Sequence, residues 1–193
     1  MASTIESGSG KDIIVVDEAD LGKIDVVELP NAEVTEIAVS SAIKGLELGL
    51  SGEKDVAIAG ARLKDAKISN EAPKGETVNV TLAVTKAAKL EFVTTGKGAT
   101  ELSVPEGKLL NSSITTAKGK AEDSISFGAA SIVKGAFISL GKGSDTLTFS
   151  GRMKGKTTVE SGKGRDLIEV NSKDRGKGKL VLSDFNKKDT LVI

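Results

Sequence analysis

The stretches GKGSDTLTF (141–149) and GKGRDLIEV (162–170) repeat one nine-residue pattern, in which an aspartate follows a glycine loop and precedes an alternating segment. These aspartates, Asp145 and Asp166, define a marker position from which the same frame extends along the chain. The step between markers averages about 22 residues, which is typical of repeats stacked along one axis. The marker residues are Asp12, Thr35, Lys54, Glu76, Thr100, Asp123, Asp145, Asp166 and Asp189.

Two apolar columns support this frame. The residues two and four positions after the marker are apolar in every repeat. Alternation of this kind is typical of a strand with one buried face. The first column contains Ile14, Ile37, Val56, Val78, Leu102, Ile125, Leu147, Ile168 and Leu191, and the second contains Val16, Val39, Ile58, Val80, Val104, Phe127, Phe149, Val170 and Ile193.

Each later repeat also has a second apolar run before its glycine loop, as in LEFV (90–93) and AFISL (136–140), which predicts a second strand per coil. A third apolar position follows the first strand and predicts a corner side chain turned inward. We expect Pro30, Pro73 and Pro105 between strand segments, where a missing N–H disturbs a ladder least. The inward corner residues are predicted to be Leu21, Ile43, Leu63, Val84, Leu109 with Leu110, Ile132 with Val133, and Met153.

These patterns predict an all-β fold, a single parallel β-solenoid of about nine coils. One coil cannot bury its own apolar face, so coils must stack with like residues above one another. At about 4.8 Å per coil, nine coils would form a stack roughly 40 Å tall. We expect residues 1–10 to be a flexible polar arm and residues 11–193 to be the solenoid domain.

Composition excludes several function classes. The 27 basic and 27 acidic residues cancel, and aromatic residues are only 3%, so no global charge or base-stacking surface points to nucleic acid. Cysteine and histidine are both absent, which removes disulfides, thiolate nucleophiles and the commonest general base. No signal peptide pattern and no apolar run approaching the ~20 residues of a membrane span is present.

Acidic pairs are the remaining catalytic candidates. Asp17 with Glu18, or Glu122 with Asp123, could in principle perform the acid/base chemistry of glycoside cleavage. The aromatic residues that usually line a sugar groove are nearly missing, so we expect no enzyme, no catalytic residue and no small-molecule substrate. The basic segment KDRGKGK (173–179), with Arg152, Lys154 and Lys156, is either an anion-binding patch or a solvated turn.

The glycine loops at 141–148 and 162–169 resemble the nonapeptide of hemolysin-type (RTX) glycine-rich repeat proteins. The closing segment LVLSDFNKKDTLVI (180–193) is similar to the terminal segment of that family. The resemblance implies a β-roll that binds calcium between turns and is exported by type I secretion. This chain departs from the family in having one such loop per coil and Gly-Lys in place of Gly-Gly.

Lysines lie close in sequence to the aspartates that could bind calcium. Each of four loops has a lysine three residues before its marker, at Lys97, Lys120, Lys142 and Lys163. Ammonium groups there could relieve repulsion among stacked carboxylates without a metal. We therefore expect a Lys/Asp ladder on a solvated turn column and no metal or cofactor site. The alternative is weak calcium binding near Asp145 and Asp166.

The favoured function is a non-enzymatic structural protein on the surface of an assembly, such as a bacteriophage virion (head decoration or tail) or a surface layer. We expect a virion or extracellular location, no cleaved signal peptide, no membrane insertion, and a partner that is a second copy or a shell protein. The strand DTLVI (189–193) is expected at that contact, because Leu191 and Ile193 continue the core columns. The alternative function is a calcium-binding RTX-like protein exported by type I secretion.

Overall fold

The computed structural model contains strands and no helix within the residues it describes, which are 3–7, 10–16, 23–28, 32–51, 55–116, 119–171 and 177–193. Accordingly, none of the described segments is an apolar helix of membrane-spanning length. The strands are β1 (Ser3–Ser7), β2 (Gly10–Val16), β3 (Lys23–Glu28), β4 (Ala32–Lys44), β5 (Glu47–Ser51), β6 (Asp55–Lys64), β7 (Lys67–Ala72), β8 (Thr77–Ala88), β9 (Glu91–Gly96), β10 (Ala99–Leu110), β11 (Ser113–Thr115), β12 (Ser124–Lys134), β13 (Phe137–Ser139), β14 (Lys142–Gly143), β15 (Thr146–Phe149), β16 (Arg152–Lys154), β17 (Lys156–Glu160), β18 (Lys163–Gly164), β19 (Leu167–Val170), β20 (Lys179–Ser183) and β21 (Thr190–Val192).

The chain alternates between two long sheets, which makes it a parallel β-solenoid, as the repeat frame predicts. The first sheet has the order β1-β3-β5-β7-β9-β11-β13-β17-β20, and the second has the order β2-β4-β6-β8-β10-β12-β15-β19-β21, with β16 also paired to β12. Strands β14 and β18 form a separate two-stranded sheet. Together the sheets form a solenoid of about six turns. The full count of nine coils stays a prediction.

The interior between the sheets is filled by stacked apolar side chains. Ile125, Leu147 and Ile168 are fully buried and lie directly above one another in the second sheet. The rings of Phe127 and Phe149 stack with centroids 4.9 Å apart. On the opposite wall the first sheet stacks five buried side chains in register, which are Ile68, Phe92, Ile114, Ile138 and Val159.

Both predicted columns are buried wherever their side chains are described, except at the C-terminal coil. There Leu191 is 38% and Ile193 58% exposed, because each contacts a coil on one side only. The second apolar run of each later repeat forms a strand of the first sheet, as predicted. The segment IDVVEL (24–29) likewise contains most of β3, and LELGL (46–50) contains most of β5.

The register between residues 37 and 102 differs from the predicted frame by two residues. Ile37 pairs with Ile58 rather than Val56, Val56 pairs with Val80, and Val80 pairs with Leu102. Thr100 therefore lies beside Val78, so Glu76 is wrong as a marker residue. A slip of two residues leaves the same face inward, so the apolar alternation does not detect it.

The third apolar position is inward but does not lie at a corner, and in β8 it is occupied by Ala87 rather than by the predicted Val84. Ile43, Leu63, Leu109 and Val133 are buried within long strands of the second sheet, and Met153 continues the stack in β16. These strands bend through an irregularity that separates their two halves. In β10 the register shifts between Val104 and Glu106, which places Pro105 at a bulge inside a strand rather than between strands.

The predicted N-terminal arm contains a strand. Residues Ser3–Ser7 form β1, which pairs in parallel with β3, and Gly10 begins β2. The boundary at residue 10 stays a prediction. Several candidates lie outside the described residues, namely Asp17, Glu18, Leu21, Pro30, Lys54 and residues 172–176 of the basic segment.

Candidate functional site: the aspartate ladder

The glycine loops are shaped by the close approach of successive coils. A Cβ atom on Gly162 would lie 1.9 Å from the carbonyl oxygen of Gly141, and one on Gly164 would lie 1.4 Å from that of Gly143. Both distances are far below contact, so no side chain fits at either position. Stacking of coils therefore accounts for these glycines, and no ligand is needed to explain them.

The aspartates that follow the loops point into the solenoid. Asp123, Asp145 and Asp166 are only 2%, 1% and 1% exposed. The cause is the alternation itself, because a marker residue shares its face with the buried residues two and four positions later. The predicted solvated column is therefore wrong for these three carboxylates.

One oxygen of each aspartate joins its coil to the preceding coil. Asp123 Oδ1 accepts the N–H of Thr100 at 2.7 Å, and Asp145 Oδ1 accepts the N–H of Asp123 at 2.8 Å. The same contact continues from Asp145 N–H to Asp166 Oδ1 at 3.0 Å, and from Asp166 N–H to Asp189 Oδ1 at 3.2 Å. We call these five residues and their side-chain-to-backbone bonds the aspartate ladder.

The second carboxylate oxygens are satisfied only at the ends of the ladder. Thr116 lies beside Asp123 and partly offsets the rise that burial causes in the pKa of its carboxyl. Asp189 Oδ2 accepts hydrogen bonds from Asn186 N–H at 2.8 Å and Asn186 Nδ2 at 2.9 Å. In the middle, Oδ2 of Asp145 and of Asp166 are buried without a hydrogen-bond partner.

Polar residues occupy part of a second column at the ends of the first-sheet strands, in which the buried apolar Leu140 lies between Thr116 and Ser161. Thr116 contacts Asp123, and the Ser161 hydroxyl donates to Asp189 Oδ2 at 3.3 Å. Asn70 and Thr94 precede them in this column, pair in register, and have side-chain polar atoms that are buried without partners. One edge of the interior is thus partly polar. The sequence analysis did not identify these residues. Asn70 and Thr94 each lie two residues after a buried apolar residue, Ile68 or Phe92, and this spacing indicates that they share the inward face.

Burial controls the protonation of the ladder. Desolvation raises the pKa of Asp123 and of Asp166 above the ordinary 3.8. It raises the pKa of Asp145 to about 7, against the lowering effect of the hydrogen bond from Asp123 N–H. Repulsion from the carboxylates of Asp123, Asp166 and Glu122 adds to the increase.

The lysines of the glycine loops lie on the outside. Lys97, Lys120, Lys142 and Lys163 are all exposed, and Lys142 stacks directly on Lys163. The charges that shift the pKa of Asp145 are carboxylates rather than these ammonium groups. The predicted relief of carboxylate repulsion by lysine therefore finds no support at Asp145.

The other candidate sites do not come together. Glu122 is exposed whereas Asp123 is buried, so this pair does not face one cleft. Within the described ranges, no group of three or more acidic side chains is gathered closely enough to hold a metal ion. The ladder can link coils and take up protons, and Oδ2 of Asp145 and of Asp166 are its free acceptors.

Comparisons with protein-family models, with curated proteins and with solved structures find no match to this chain. The resemblance to RTX repeats therefore rests on the quoted glycine loops and closing segment alone. Function must be argued from the solenoid, its ladder and its surfaces.

Proposed function

We propose that this protein is a non-enzymatic structural element, a rigid β-solenoid displayed on the surface of an assembly such as a bacteriophage virion or a surface layer. The observation that carries the proposal is the filled interior. Core side chains such as Ile58, Ile138 and Leu147 are completely buried, and each is stacked between like residues. A closely packed interior of this kind stiffens the stack and favours a structural role over an enclosed substrate site.

The finer architecture that we propose is nine coils of about 22 residues. The first sheet contains nine strands, and the main order of the second also contains nine, with β16 as a tenth strand beside β12, which supports this count. An axial rise of about 4.8 Å per coil would make a rod long enough to span a subunit boundary of a shell.

The C-terminal edge supports an interface with another polypeptide. Strands β20 and β21 pair on one side only, and Leu191, Val192 and Ile193 are 38%, 48% and 58% exposed. An open strand with apolar side chains is a template for a further strand. We propose that it is covered by another copy, by a shell protein or by further polypeptide.

Antibody labelling of intact source particles or cells in the electron microscope tests this proposal. Label on the outer surface of the particles or cells is the expected result. Label found only after the particles or cells are broken open would contradict display on a surface. Sedimentation of the purified chain, alone and with isolated shell proteins, would then identify the partner.

The alternative function is a calcium-binding RTX-like protein exported by type I secretion. The buried, unpartnered Oδ2 atoms of Asp145 and Asp166 favour it, because calcium is bound by oxygen ligands. The inward direction of these carboxylates argues against it. Among the described residues no three acidic side chains gather at one point, whereas calcium takes six to eight oxygens.

Thermal melting with millimolar calcium and with a chelator separates the two functions. A site specific to the folded state stabilises by RT ln(1 + [L]/Kd), so the structural proposal predicts nearly equal melting temperatures. A rise of many degrees with calcium that Asp145→Asn with Asp166→Asn abolishes would favour the RTX-like function.

A further inference from the structure

A groove of about 850 Å³ runs along the outside of the glycine corner. It is lined by residues of four successive coils, including Gly75, Gly96, Gly98 and Gly119. Four of its twelve lining residues are glycines, which have no side chain. A chain lying in the groove could therefore approach the solenoid closely.

The groove carries one lysine per coil. Lys74, Lys97, Lys120 and Lys142 all line it and are exposed, and Glu76 is the acidic residue among its lining. The two ion pairs identified among the described residues, Lys67 with Glu91 and Lys89 with Asp65, involve none of these lysines. A row of like charges without partners costs free energy, which an anionic ligand would recover.

We propose that this lysine groove binds a linear acidic polysaccharide that lies along the solenoid axis. The ammonium groups repeat with the coil spacing of about 4.8 Å. A ligand that matches them must carry an anionic group at short, regular intervals along an extended chain. An acidic polysaccharide with a carboxylate or sulfate on each sugar has this chemistry.

Other polyanions fit the groove less well. No aromatic side chain lines it, so the bases of a nucleic acid would have nothing to stack on. An extended acidic peptide alternates its side chains between two faces, so only every second residue, about 6.6 Å along the chain, would face the groove. The proposal concerns an outer surface and does not depend on how the solenoid is attached to its assembly.

Two matched variants test the proposal. The groove variant replaces four lining lysines with glutamine, and the control replaces four exposed lysines of the second sheet, so that both lose the same charge. The groove variant is Lys74→Gln, Lys97→Gln, Lys120→Gln and Lys142→Gln, and the control is Lys44→Gln, Lys64→Gln, Lys134→Gln and Lys154→Gln.

Binding of labelled heparin and of polygalacturonate is measured by fluorescence anisotropy at low and at physiological salt. We expect the groove variant to bind about tenfold more weakly or worse, and the control to change less than about twofold, since each lost contact is an exposed ion pair. Added salt should weaken wild-type binding more than residual binding by the groove variant. Equal melting temperatures will show that all three proteins are folded.

Three results would overturn the proposal. One is the absence of binding by the wild-type protein to either polysaccharide. Another is an equal loss in both variants, which would mean that binding follows overall charge rather than the groove. The third is competition by oligothymidylate as strong as that by heparin, which would indicate a nucleic acid in the groove.

Discussion

Asp145 both links two coils and has a strongly raised pKa. Its Oδ1 ties two coils together, while its Oδ2 is buried without a partner. Burial makes the charged form costly and raises the pKa to about 7. The protonated form therefore fits the interior best.

The sign of the pH dependence follows from that shift. In the unfolded chain the pKa of Asp145 is near 3.8, and in the folded chain it is about 7. Between these values the folded state holds a proton that the unfolded state has lost. The free energy of unfolding should therefore fall as the pH rises from about 4 to about 7, by at most about 1.4 kcal/mol per pH unit for this group.

Asp145→Asn tests this account, because the amide keeps an oxygen acceptor but has no proton to lose. We expect the variant to show a shallower fall in the free energy of unfolding over the same pH range. Asp123 and Asp166 retain part of the slope, since their pKa values are raised too. Urea titrations at a series of pH values give the slope. An unchanged slope, or stability that rises with pH in both proteins, would show that Asp145 is solvated.

Two glycines separate the cost of close stacking from the cost of backbone strain. Gly162 and Gly155 both have positive φ, at 84° and 69°. A Cβ on Gly155 meets nothing nearer than Lys134 Cγ at 3.7 Å, whereas one on Gly162 would clash with Gly141. Gly155→Ala should lose about 1 kcal/mol and Gly162→Ala at least about 2 kcal/mol more. If urea titrations gave equal losses of unfolding free energy for the two variants, Gly162 would not lie where two coils pack closely.

At the scale of the strand, alternation was enough to predict which residues are buried but not which residues are neighbours. Ile37, Val56 and Val80 were all expected inside, and they are, although each pairs with a residue two places from the expected one. The loops take up such differences in length. Asp145 lies on the same face as these buried residues, but its charge suggested a solvated turn instead.

Leu147 in β15 shows how much one coil depends on its neighbours. It is fully buried and lies between Ile125 and Ile168 in adjacent strands. Leu147→Ala should lower the free energy of unfolding by about 2–5 kcal/mol, because the cavity cannot collapse between stacked coils. Lys142→Ala, at an exposed position, should change it by less than about 0.5 kcal/mol. Similar losses for the two variants would show that the column is misassigned.

At the scale of the molecule, a repeat of about 22 residues with two alternating runs was sufficient to predict a parallel β-solenoid. The polar edge of the interior, formed by Asn70, Thr94 and the aspartate ladder, was not predicted. Period-two patterning identifies a face but does not tell whether a polar residue on that face is turned inward or lies where a strand has ended. That depends on where each loop closes, which is set by contacts between coils.

In-register parallel stacking is the central claim, and disulfide trapping tests it most directly. The chain has no cysteine, so an introduced pair has no competitor. Thr148 and Glu169 are paired on the outer face of the second sheet, whereas Leu167 pairs with Thr146. A register pair lies about 4.8 Å apart and a pair offset by two residues about 8 Å apart. Only the first is within the range that a disulfide spans.

Oxidation of Thr148→Cys with Glu169→Cys is therefore the decisive measurement, read by mass spectrometry of the intact chain and its proteolytic peptides. Our account predicts rapid, complete linkage in this variant. It predicts little linkage in the matched control, Thr148→Cys with Leu167→Cys. Linkage of the control alone, or of both at the same rate, would contradict in-register stacking of the coils.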